Sequence, residues 1–318
     1  MKIVLTDAQT VVDGLVSAER LREFGEVEQY GLLKYDEVAE KIAGADIVIC
    51  NKTLMNAGSL RLAKKLRYIG LFATGYNNID IPYCREHGIT VCNAGSYSTS
   101  AVAQHTFALI LEHYNKVAQY NNYVAEGRWK RSPTFSPFVY PLNELAGKTI
   151  GIVGLGAIGQ AVAKIACAFG MRVIAYNRSK KDVEGVAHVG LAELLKESDI
   201  VTVHCPLNDD SKEMFNSGTF AMMKKGALFV NTARGGVIVE KDLCDALNSG
   251  HLGGACIDTI NVEPMEEDCI LMHARNCIMT PHIAWAPVET RERLMSIVAE
   301  NIRAFLAGTP INVVTGKQ

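Results

Sequence analysis

Three side chains capable of chemistry, those of Arg234, Glu263 and His282, each follow a different predicted strand in the second half of the chain. An arginine fork can grip a carboxylate and polarise the carbonyl next to it. A histidine can give a proton to a developing alkoxide, and a carboxylate beside it favours the charged imidazolium. These three residue types therefore suit hydride transfer to a 2-oxo acid.

Other residues compete for these roles. Glu266 and Glu267 lie close enough in sequence to serve as the carboxylate instead. His204 also ends a predicted strand, and the residues alone do not decide between it and His282. Cys205 could act as a nucleophile in principle, but no activating partner is evident near it in the sequence.

A glycine-rich loop precedes these residues along the chain. Gly154, Gly156 and Gly159 form the pattern G-x-G-x-x-G between an apolar strand and a helix predicted over 160–169, and a second strand follows at 171–177. The first glycine permits a tight turn, the second leaves room for a pyrophosphate, and the third lets the helix pack on the strand. The amides of the first helical turn suit a phosphate. This context favours a dinucleotide site over a turn that uses glycine for geometry alone.

The elements that must position these residues alternate between strand and helix through most of the chain. Helix-like stretches such as 35–43 and 59–65 separate the first strands, as is typical of parallel sheets with crossover helices. Ligands bind beyond the carboxyl ends of strands in such sheets, so the strand-end residues are expected on the same edge as the glycine loop. Strands are predicted at 2–6, 46–50, 68–71 and 89–92, then directly before Gly154, and at 172–176, 200–204, 227–231, 254–257 and 277–280.

Two domains are predicted from three segments. Residues 99–287 form a dinucleotide-binding Rossmann domain, which is inserted into a smaller, flavodoxin-like substrate domain made of 1–98 and 288–318. An amphipathic helix over 288–306 is expected to cross back and complete the smaller domain. The fold class is therefore α/β, with two doubly wound parallel-sheet domains. The apolar stripe of the last helix comprises Leu294, Ile297, Val298, Ile302 and Phe305.

The segment between the two blocks of strands has a different character. A helix is predicted over 98–111 and continues in helical style over 112–126. Residues 127–141 are irregular and contain Trp129 and three prolines. They either cover a second subunit across a symmetric interface or fold back on their own domain, and the sequence leaves both possibilities open.

The composition excludes several classes of protein. The 318 residues are 48% apolar and 21% charged, which is typical of a globular protein large enough for two domains. A net charge of −2 gives no electrostatic case for nucleic acid or an anionic membrane. No apolar run could span a bilayer and no signal-peptide pattern follows Met1, so a cytoplasmic location is expected. The nine cysteines include no C-x-x-C pair, so we expect reduced, buried thiols and no metal site.

At the level of whole motifs, the chain resembles the D-isomer-specific 2-hydroxyacid dehydrogenases. The resemblance covers nearly the whole chain with several motifs in the same order. Its last motif is most similar to the hydroxypyruvate reductase/glycerate dehydrogenase branch. The motifs are FATGYNNID at 72–80, GIVGLGAIG at 151–159, HCPL at 204–207, NTARGG at 231–236, Asp258 with Glu263 and Pro264, and PHIAW at 281–285.

The resemblance implies a role for each strand-end residue. Arg234 would bind and orient the substrate, His282 would be the acid/base, and Glu263 would be its partner. By the same resemblance, His204 falls in the segment that borders the cofactor adenosine, which favours His282 as the proton donor.

Ligand contacts are implied as well. Asp258 would hold the nicotinamide carboxamide, and closure of the two domains around 98–101 and Pro287 would exclude water from the reaction. The implied substrate contacts are the backbone amides of Ala73, Thr74 and Gly75 with the side chains of Arg234, His282 and Trp285. The implied cofactor contacts are Gly154, Gly156, Ala157, Ile158, Gly159, Asn177, Arg178, Ser179, His204, Cys205, Pro206, Thr232, Ala233, Asp258, His282 and Ala284.

One departure from the usual pattern bears on which dinucleotide binds. An NAD-specific site usually places Asp or Glu at the end of the second strand, where it binds the ribose 2′-hydroxyl. Asn177 occupies that position here, and the cations Arg178, Lys180 and Lys181 follow it. Arg178 and Ser179 could bind a 2′-phosphate through an ion pair and a hydrogen bond, which favours NADP over NAD. The alternative is a solvated basic turn that still accepts NAD.

The function expected from the resemblance is reduction of a small 2-oxo acid to the D-2-hydroxy acid by a homodimer formed through the cofactor domains. Hydroxypyruvate and glyoxylate are the favoured substrates, and D-lactate-type enzymes share the framework. A phosphoglycerate dehydrogenase with a regulatory tail is disfavoured because the chain ends at Gln318. A dinucleotide-sensing, corepressor-like protein shares the fold and the catalytic trio, but the chain has no extended interaction tail of the kind such a protein would use.

Overall fold

The computed structural model describes residues 1–316. The chain divides into two compact units, the first made of Met1–Ser98 with Ala286–Gln318 and the second of Thr99–Trp285. The sequence predicts the later boundary at 287/288, two residues further along, and the last two residues of the predicted tail segment lie outside the described residues. Both units are α/β and their strands pair in parallel, which confirms the predicted fold class.

The first unit holds a parallel sheet of five strands with helices around it. Its strands are β1 (Lys2–Leu5), β2 (Glu26–Gln29), β3 (Ile47–Cys50), β4 (Tyr68–Leu71) and β5 (Thr90–Cys92). Its helices are α1 (Tyr35–Lys41), α2 (Ala57–Leu60), α3 (Ile81–Glu86) and α10 (Val288–Leu306). The strand order is β2-β1-β3-β4-β5. The last helix, α10, belongs to this unit, where the ring of its Phe305 lies 4.8 Å from that of Tyr68 in β4.

Two expectations for this unit are wrong. The edge strand β2 was not predicted, because the sequence Glu-Val-Glu-Gln contains a single apolar residue and shows no strand pattern. The helix expected over 59–65 is only the single turn α2, which Asn56 caps by accepting hydrogen bonds from the amides of Gly58 and Ser59. The residues after Leu60 continue as tight turns rather than as a helix.

The second unit holds a parallel sheet of seven strands. Its strands are β6 (Thr149–Val153), β7 (Arg172–Tyr176), β8 (Val186–His188), β9 (Ile200–Val203), β10 (Leu228–Asn231), β11 (Gly254–Ile257) and β12 (Cys277–Met279). Its helices are α4 (Thr99–Asn115), α5 (Val117–Ala125), α6 (Ala157–Ala168), α7 (Leu191–Glu197), α8 (Ser217–Met222) and α9 (Glu240–Asn248). The order β12-β11-β10-β9-β6-β7-β8 reverses direction beside β6, and ligands of doubly wound sheets bind at such a switch point.

The second unit departs from expectation at two places. Six strands were predicted, and the seventh, β8, is a three-residue edge strand too short to show a period in the sequence. The long helix expected to continue to residue 126 is interrupted at Lys116, whose φ of +53° separates α4 from α5. A left-handed residue cannot continue an α-helix, so α5 leaves in a new direction.

Apolar side chains fill both faces of the seven-stranded sheet, with α4 and α6 packed on one face and α7 and α9 on the other. No helix within residues 1–316 is long and apolar enough to cross a membrane. All nine cysteines are free thiols. The expectation of buried thiols is right for Cys50, Cys84, Cys92 and Cys256 but wrong for Cys167, which is exposed.

Candidate active site

The glycine loop follows β6 at the switch point of the second sheet. Gly154 has a φ of +98°, and its amide donates to the carbonyl of Tyr176 at the end of β7 (2.9 Å). A Cβ at Gly154 would lie 2.6 Å from the amide nitrogen of Cys205, where the end of β9 approaches the loop. This turn therefore needs glycine both for its conformation and for space.

The second and third glycines differ in what surrounds them. A Cβ at Gly156, the N-cap of α6, would meet no protein atom within 4 Å. A Cβ at Gly159 would overlap the carbonyl oxygen of Gly154, so α6 could not approach the loop. The open space at Gly156 lies at the first-turn amides of Ala157 and Ile158, which is what a pyrophosphate requires. The loop therefore fits a dinucleotide.

Asn177 and Arg178 follow β7 beside this loop. The Asn177 side chain accepts a hydrogen bond from the amide of Leu155 (3.0 Å) and donates one to the carbonyl of Ser179 (2.7 Å). The Arg178 guanidinium lies 2.9 Å from the Asp210 carboxylate, and these side chains are 84% and 70% exposed. Ion pairs this exposed contribute little to stability, so an anionic ligand can compete for the guanidinium.

The residues after β9 are poorly suited to proton transfer or nucleophilic attack. The Nε2 atom of His204 lies 2.9 Å from Oγ1 of Thr202, and desolvation lowers the pKa of His204 to about 3. This ring is therefore neutral near pH 7 and cannot serve as the acid. Burial raises the pKa of the Cys205 thiol, which disfavours the nucleophilic thiolate. The next turn closes through a hydrogen bond from Ser211 Oγ to the carbonyl of Pro206 (2.6 Å).

Arg234 lies on a loop after β10 that the side chain of Asn231 shapes. Asn231 accepts a hydrogen bond from the amide of Ala233 (3.0 Å) and donates one to the carbonyl of Arg234 (2.9 Å). The Arg234 side chain is half-buried, and its Nη1 donates to the carbonyl of Ala233 (2.7 Å). A Cβ at Gly235 would overlap the backbone of Ile260. The Arg234 loop therefore lies directly against the segment that follows β11.

His282 and Glu263 form a hydrogen-bonded pair. Nδ1 of His282 lies 2.7 Å from Oε2 of Glu263, and the two side chains are 23% and 33% exposed. Oε1 of Glu263 also accepts a hydrogen bond from the amide of Ile260 (3.3 Å). Because Nδ1 is engaged with the carboxylate, Nε2 is the ring nitrogen that can exchange a proton with a substrate.

The backbone at His282 is held in an uncommon conformation by Asp258. The φ of His282 is +54°, in the left-handed region that residues with a side chain rarely adopt. Its amide donates to the carbonyl of Asp258 (2.8 Å). The amides of Ile283 and Ala284 donate to Oδ1 and Oδ2 of Asp258, each at 3.0 Å. A buried carboxylate thus binds the turn that presents the histidine.

In the first unit, Ala73, Thr74 and Gly75 follow β4. The carbonyl of Ala73 accepts a hydrogen bond from the amide of Ala94 (2.9 Å), and that of Thr74 accepts one from Nδ2 of Asn93 (2.7 Å). Within residues 1–316, the amides of the three loop residues donate to no protein acceptor. A loop held through its carbonyls with its amides unengaged can bind a carboxylate.

The parallel sheet of the second unit brings the predicted residues of that unit to one edge. The loop of Gly154 follows β6, and His204, Arg234, Asp258 and His282 follow β9 to β12 in the order of the sheet. The predicted contacts 73–75 belong to the other unit. Trp285 is half-buried on the loop after β12, and Thr232 is buried with its Oγ1 3.1 Å from that of Thr106. Among residues 1–316, no cluster of His, Cys, Asp and Glu side chains is arranged to hold a metal ion.

Sequence reasoning missed three residues that shape this edge, namely Asn231, Thr280 and His105. Asn231 could have been noticed as a polar residue ending an apolar strand directly before the Arg234 loop. The sequence indicates Thr280 only as the last residue of a predicted strand. His105 gave no signal, because it stands on an apolar helix and its partner Thr280 is 175 residues away.

Comparison with known proteins identifies the family. The family model for the D-isomer-specific 2-hydroxyacid dehydrogenase NAD-binding domain matches residues 107–284. The chain belongs to this family, and it is therefore an NAD(P)-dependent oxidoreductase of the D-2-hydroxyacid dehydrogenase class. The resemblance read from the motifs is confirmed.

Individual relatives confirm the branch. The chain is 43% identical over 320 residues to a hydroxypyruvate reductase of Blautia hydrogenotrophica, with 99% of each chain covered. It is 38% identical over 281 residues to a glycerate dehydrogenase of Methylorubrum extorquens, with 88% of each covered. Among solved structures, an acyclic imino acid reductase in complex with NADPH and D-Arg matches with a TM-score of 0.88 and 32% identity, over 99% of this chain and all of the other.

The surroundings of the glycines predict opposite effects for two alanine substitutions. Gly156→Ala should leave the free energy of unfolding within about 1 kcal/mol of wild type, because its backbone suits alanine and its Cβ meets no protein atom. It should raise the Kd of the dinucleotide about 10-fold or more by filling the pyrophosphate space. Gly159→Ala should instead cost about 1–3 kcal/mol of stability. Denaturant unfolding and fluorescence titration measure both quantities, and equal losses of stability would contradict the assignment.

The pairing of His282 with Glu263 predicts a defect in turnover when the carboxylate is neutralised. Glu263→Gln keeps the size of the side chain but no longer favours the imidazolium, so kcat for oxo-acid reduction should fall about 10- to 100-fold. Glu267→Gln is the control, since Glu267 is an exposed carboxylate four residues away and Nδ1 of His282 binds Glu263 instead. Steady-state kinetics at pH 7 measure kcat for both variants and for the wild type. Equal kcat values for the two variants would remove Glu263 from the mechanism.

Proposed function

We propose that the chain reduces hydroxypyruvate to D-glycerate, or glyoxylate to the achiral glycolate, with a reduced nicotinamide dinucleotide. The observation that carries this proposal is the pair of His282 and Glu263, 2.7 Å apart on the same sheet edge as the glycine loop and Arg234. Such an edge offers a dinucleotide site, a guanidinium and a histidine oriented by a carboxylate. The relatives named for hydroxypyruvate and glycerate give this substrate class its support.

Each residue has a distinct task in this reaction. The guanidinium of Arg234 binds the substrate carboxylate and polarises the 2-oxo group. A nicotinamide dinucleotide held at the loop of Gly154, Gly156 and Gly159 would supply the hydride to C2. His282 delivers a proton from Nε2 to the developing alkoxide, while Glu263 stabilises the charged ring and fixes its orientation.

We also propose that the preferred cofactor is NADP(H). The support is the sequence and exposure of the turn after β7. The residue at the position that usually binds a ribose 2′-hydroxyl is Asn177, which has no carboxylate. Its carboxamide is hydrogen-bonded to the loop backbone instead. The Arg178 guanidinium, paired with Asp210 in an exposed ion pair, can turn to a 2′-phosphate. The alternative is that this basic turn is simply a solvated surface and that the site accepts NAD.

A cytoplasmic homodimer formed through the second unit is the assembly we propose. Residues of the irregular segment fold against α5, where the hydroxyl of Tyr120 donates to the carbonyl of Tyr140 (3.0 Å) and Trp129 Nε1 donates to the carbonyl of Phe135 (3.0 Å). The rings of Phe135 and Phe138 are nevertheless 91% and 87% exposed. Aromatic rings this exposed, beside a shallow apolar pocket, support a protein partner over this segment.

The proposed reaction predicts a substrate pattern and a histidine requirement. Hydroxypyruvate, glyoxylate, pyruvate and 2-oxoglutarate would each be assayed with NADH and NADPH, and the first two should give the highest kcat/KM. His282→Ala should lower kcat about 10²- to 10⁴-fold, because the proton donor is lost. His273→Ala, which removes an exposed histidine outside the strand-end residues, is the control.

The outcomes separate the candidate functions. Turnover of pyruvate alone would replace the proposed substrate with that of a D-lactate-type enzyme. Turnover of none of the four acids, combined with dinucleotide binding, would favour the corepressor-like reading. An unchanged rate in His282→Ala would show that another group supplies the proton.

The cofactor proposal predicts a selective effect at Arg178. Arg178→Ala should raise the Kd of NADPH about 10-fold relative to that of NADH, because one charge-assisted contact to the 2′-phosphate is lost. Lys180→Ala is the matched control, since its ammonium pairs with Asp182 at 3.4 Å on the same turn. Titration of cofactor fluorescence measures both constants. An equal change for NADH and NADPH would refute the role of Arg178.

A further inference from the structure

His105 is a histidine on α4 that has no part in the chemistry described above, yet it contacts the network beneath His282. Its Nε2 lies 3.0 Å from Oγ1 of Thr280 and 3.4 Å from Oδ1 of Asp258. His105 belongs to the same unit as these residues and is partly shielded from solvent. A histidine that contacts both Thr280 and Asp258 can do more than fill space, because its ring can donate a hydrogen bond to them.

The directions of the hydrogen bonds can be assigned from chemistry. The Asp258 carboxylate can only accept, so the hydroxyl proton of Thr280 goes to Oδ1 of Asp258, at 2.6 Å. Oγ1 of Thr280 must then accept from Nε2 of His105. The chain therefore runs from His105 through Thr280 to Asp258, and it requires a proton on Nε2 of His105.

Asp258 depends on this chain because its side chain is fully buried. Burial raises the pKa of Asp258, but the nearby His105 ring, 3.4 Å from Oδ1, and hydrogen bonds from Thr280 and the amides of Ala284 and Ile283 outweigh it and hold the pKa below its usual value. A carboxylate has about four acceptor positions. Thr280 and the two amides occupy three of them, which leaves one on Oδ2 for the predicted contact to the nicotinamide carboxamide.

The turn that Asp258 binds is the one that carries His282 in its left-handed conformation. A residue in this region is strained and stays there only where its surroundings over-determine it. The two amides after His282 hold it there by donating to a carboxylate, and charged acceptors make stronger bonds than neutral ones. Loss of the charge on Asp258 would therefore loosen the turn and move the histidine ring.

We propose that His105 is a positioning residue for the reaction. By donating a hydrogen bond to Thr280, which in turn donates to Asp258, it helps keep the Asp258 carboxylate charged and in place to hold the turn of His282. This inference rests on the proposed role of His282. Glutamine at position 105 can place its Nε2 donor near the place of the imidazole Nε2, whereas leucine cannot donate. The two substitutions therefore separate the hydrogen bond from the volume of the side chain.

The test compares His105→Leu with His105→Gln in the full chain. Amide hydrogen exchange over 282–284 should accelerate about 10-fold or more in the leucine variant and return toward wild type in the glutamine variant, because exchange reports local opening. For oxo-acid reduction, kcat should fall about 10-fold or more in His105→Leu with KM nearly unchanged, as expected of a misplaced acid. His105→Gln should recover most of the loss.

A double-mutant cycle and a control complete the experiment. Thr280→Val breaks the same chain, so its effect on kcat should not add to that of His105→Leu. His113→Leu is the matched control. This second histidine of α4 is half-buried, desolvation lowers its pKa to about 4, and its buried Nδ1 has no hydrogen-bond partner among residues 1–316. Its substitution should leave both amide exchange at 282–284 and kcat unchanged.

Several results would overturn the proposal. Equal behaviour of the leucine and glutamine variants, unchanged exchange over 282–284 in His105→Leu, or additive effects in the cycle would each show that His105 is not coupled to the turn. If the wild-type chain reduces none of the oxo acids, the proposed function fails. Amide exchange would still decide the role of His105 in that case.

Discussion

The buried carboxylate of Asp258 is the group on which the His282 turn of this enzyme depends. It accepts from the amides of Ile283 and Ala284 and from the hydroxyl of Thr280, while its backbone carbonyl accepts from the amide of His282. Asp258, which follows β11, thus fixes residues 282–284, which follow β12. A fully buried charge is costly unless it is hydrogen-bonded throughout, and here the bonds that satisfy it also hold the turn of His282.

The remaining parts of the site are arranged by close approach of backbone segments. The carbonyl oxygen of Gly154 occupies the space of a Cβ at Gly159, and the backbone of Ile260 occupies that of a Cβ at Gly235. These glycines bring α6 and the Arg234 loop into place. Gly156 differs, because the protein leaves its surroundings open. Glycine therefore serves packing at two of these positions and ligand space at the third, a distinction that the motif alone does not make.

Much of the site could be predicted from the sequence because parallel strands bring their carboxyl ends to one edge. Arg234, Asp258 and His282 follow strands whose apolar runs are easy to recognise, and the glycine loop marks the same edge. The edge strands β2 and β8 could not be predicted, since each is short and lacks an apolar period. The contact between His105 and Thr280 joins positions 175 residues apart, and only the folded chain brings them together.

Hydride transfer from the cofactor to C2 of a 2-oxo acid, with formation of the D-2-hydroxy acid, can be followed with an isotope label. The sharpest measurement uses reduced cofactor with deuterium at both C4 positions and hydroxypyruvate as substrate, and separates the product on a chiral column with mass detection. The account predicts D-glycerate that carries deuterium at C2. An L or racemic product, or a product without deuterium, would contradict it.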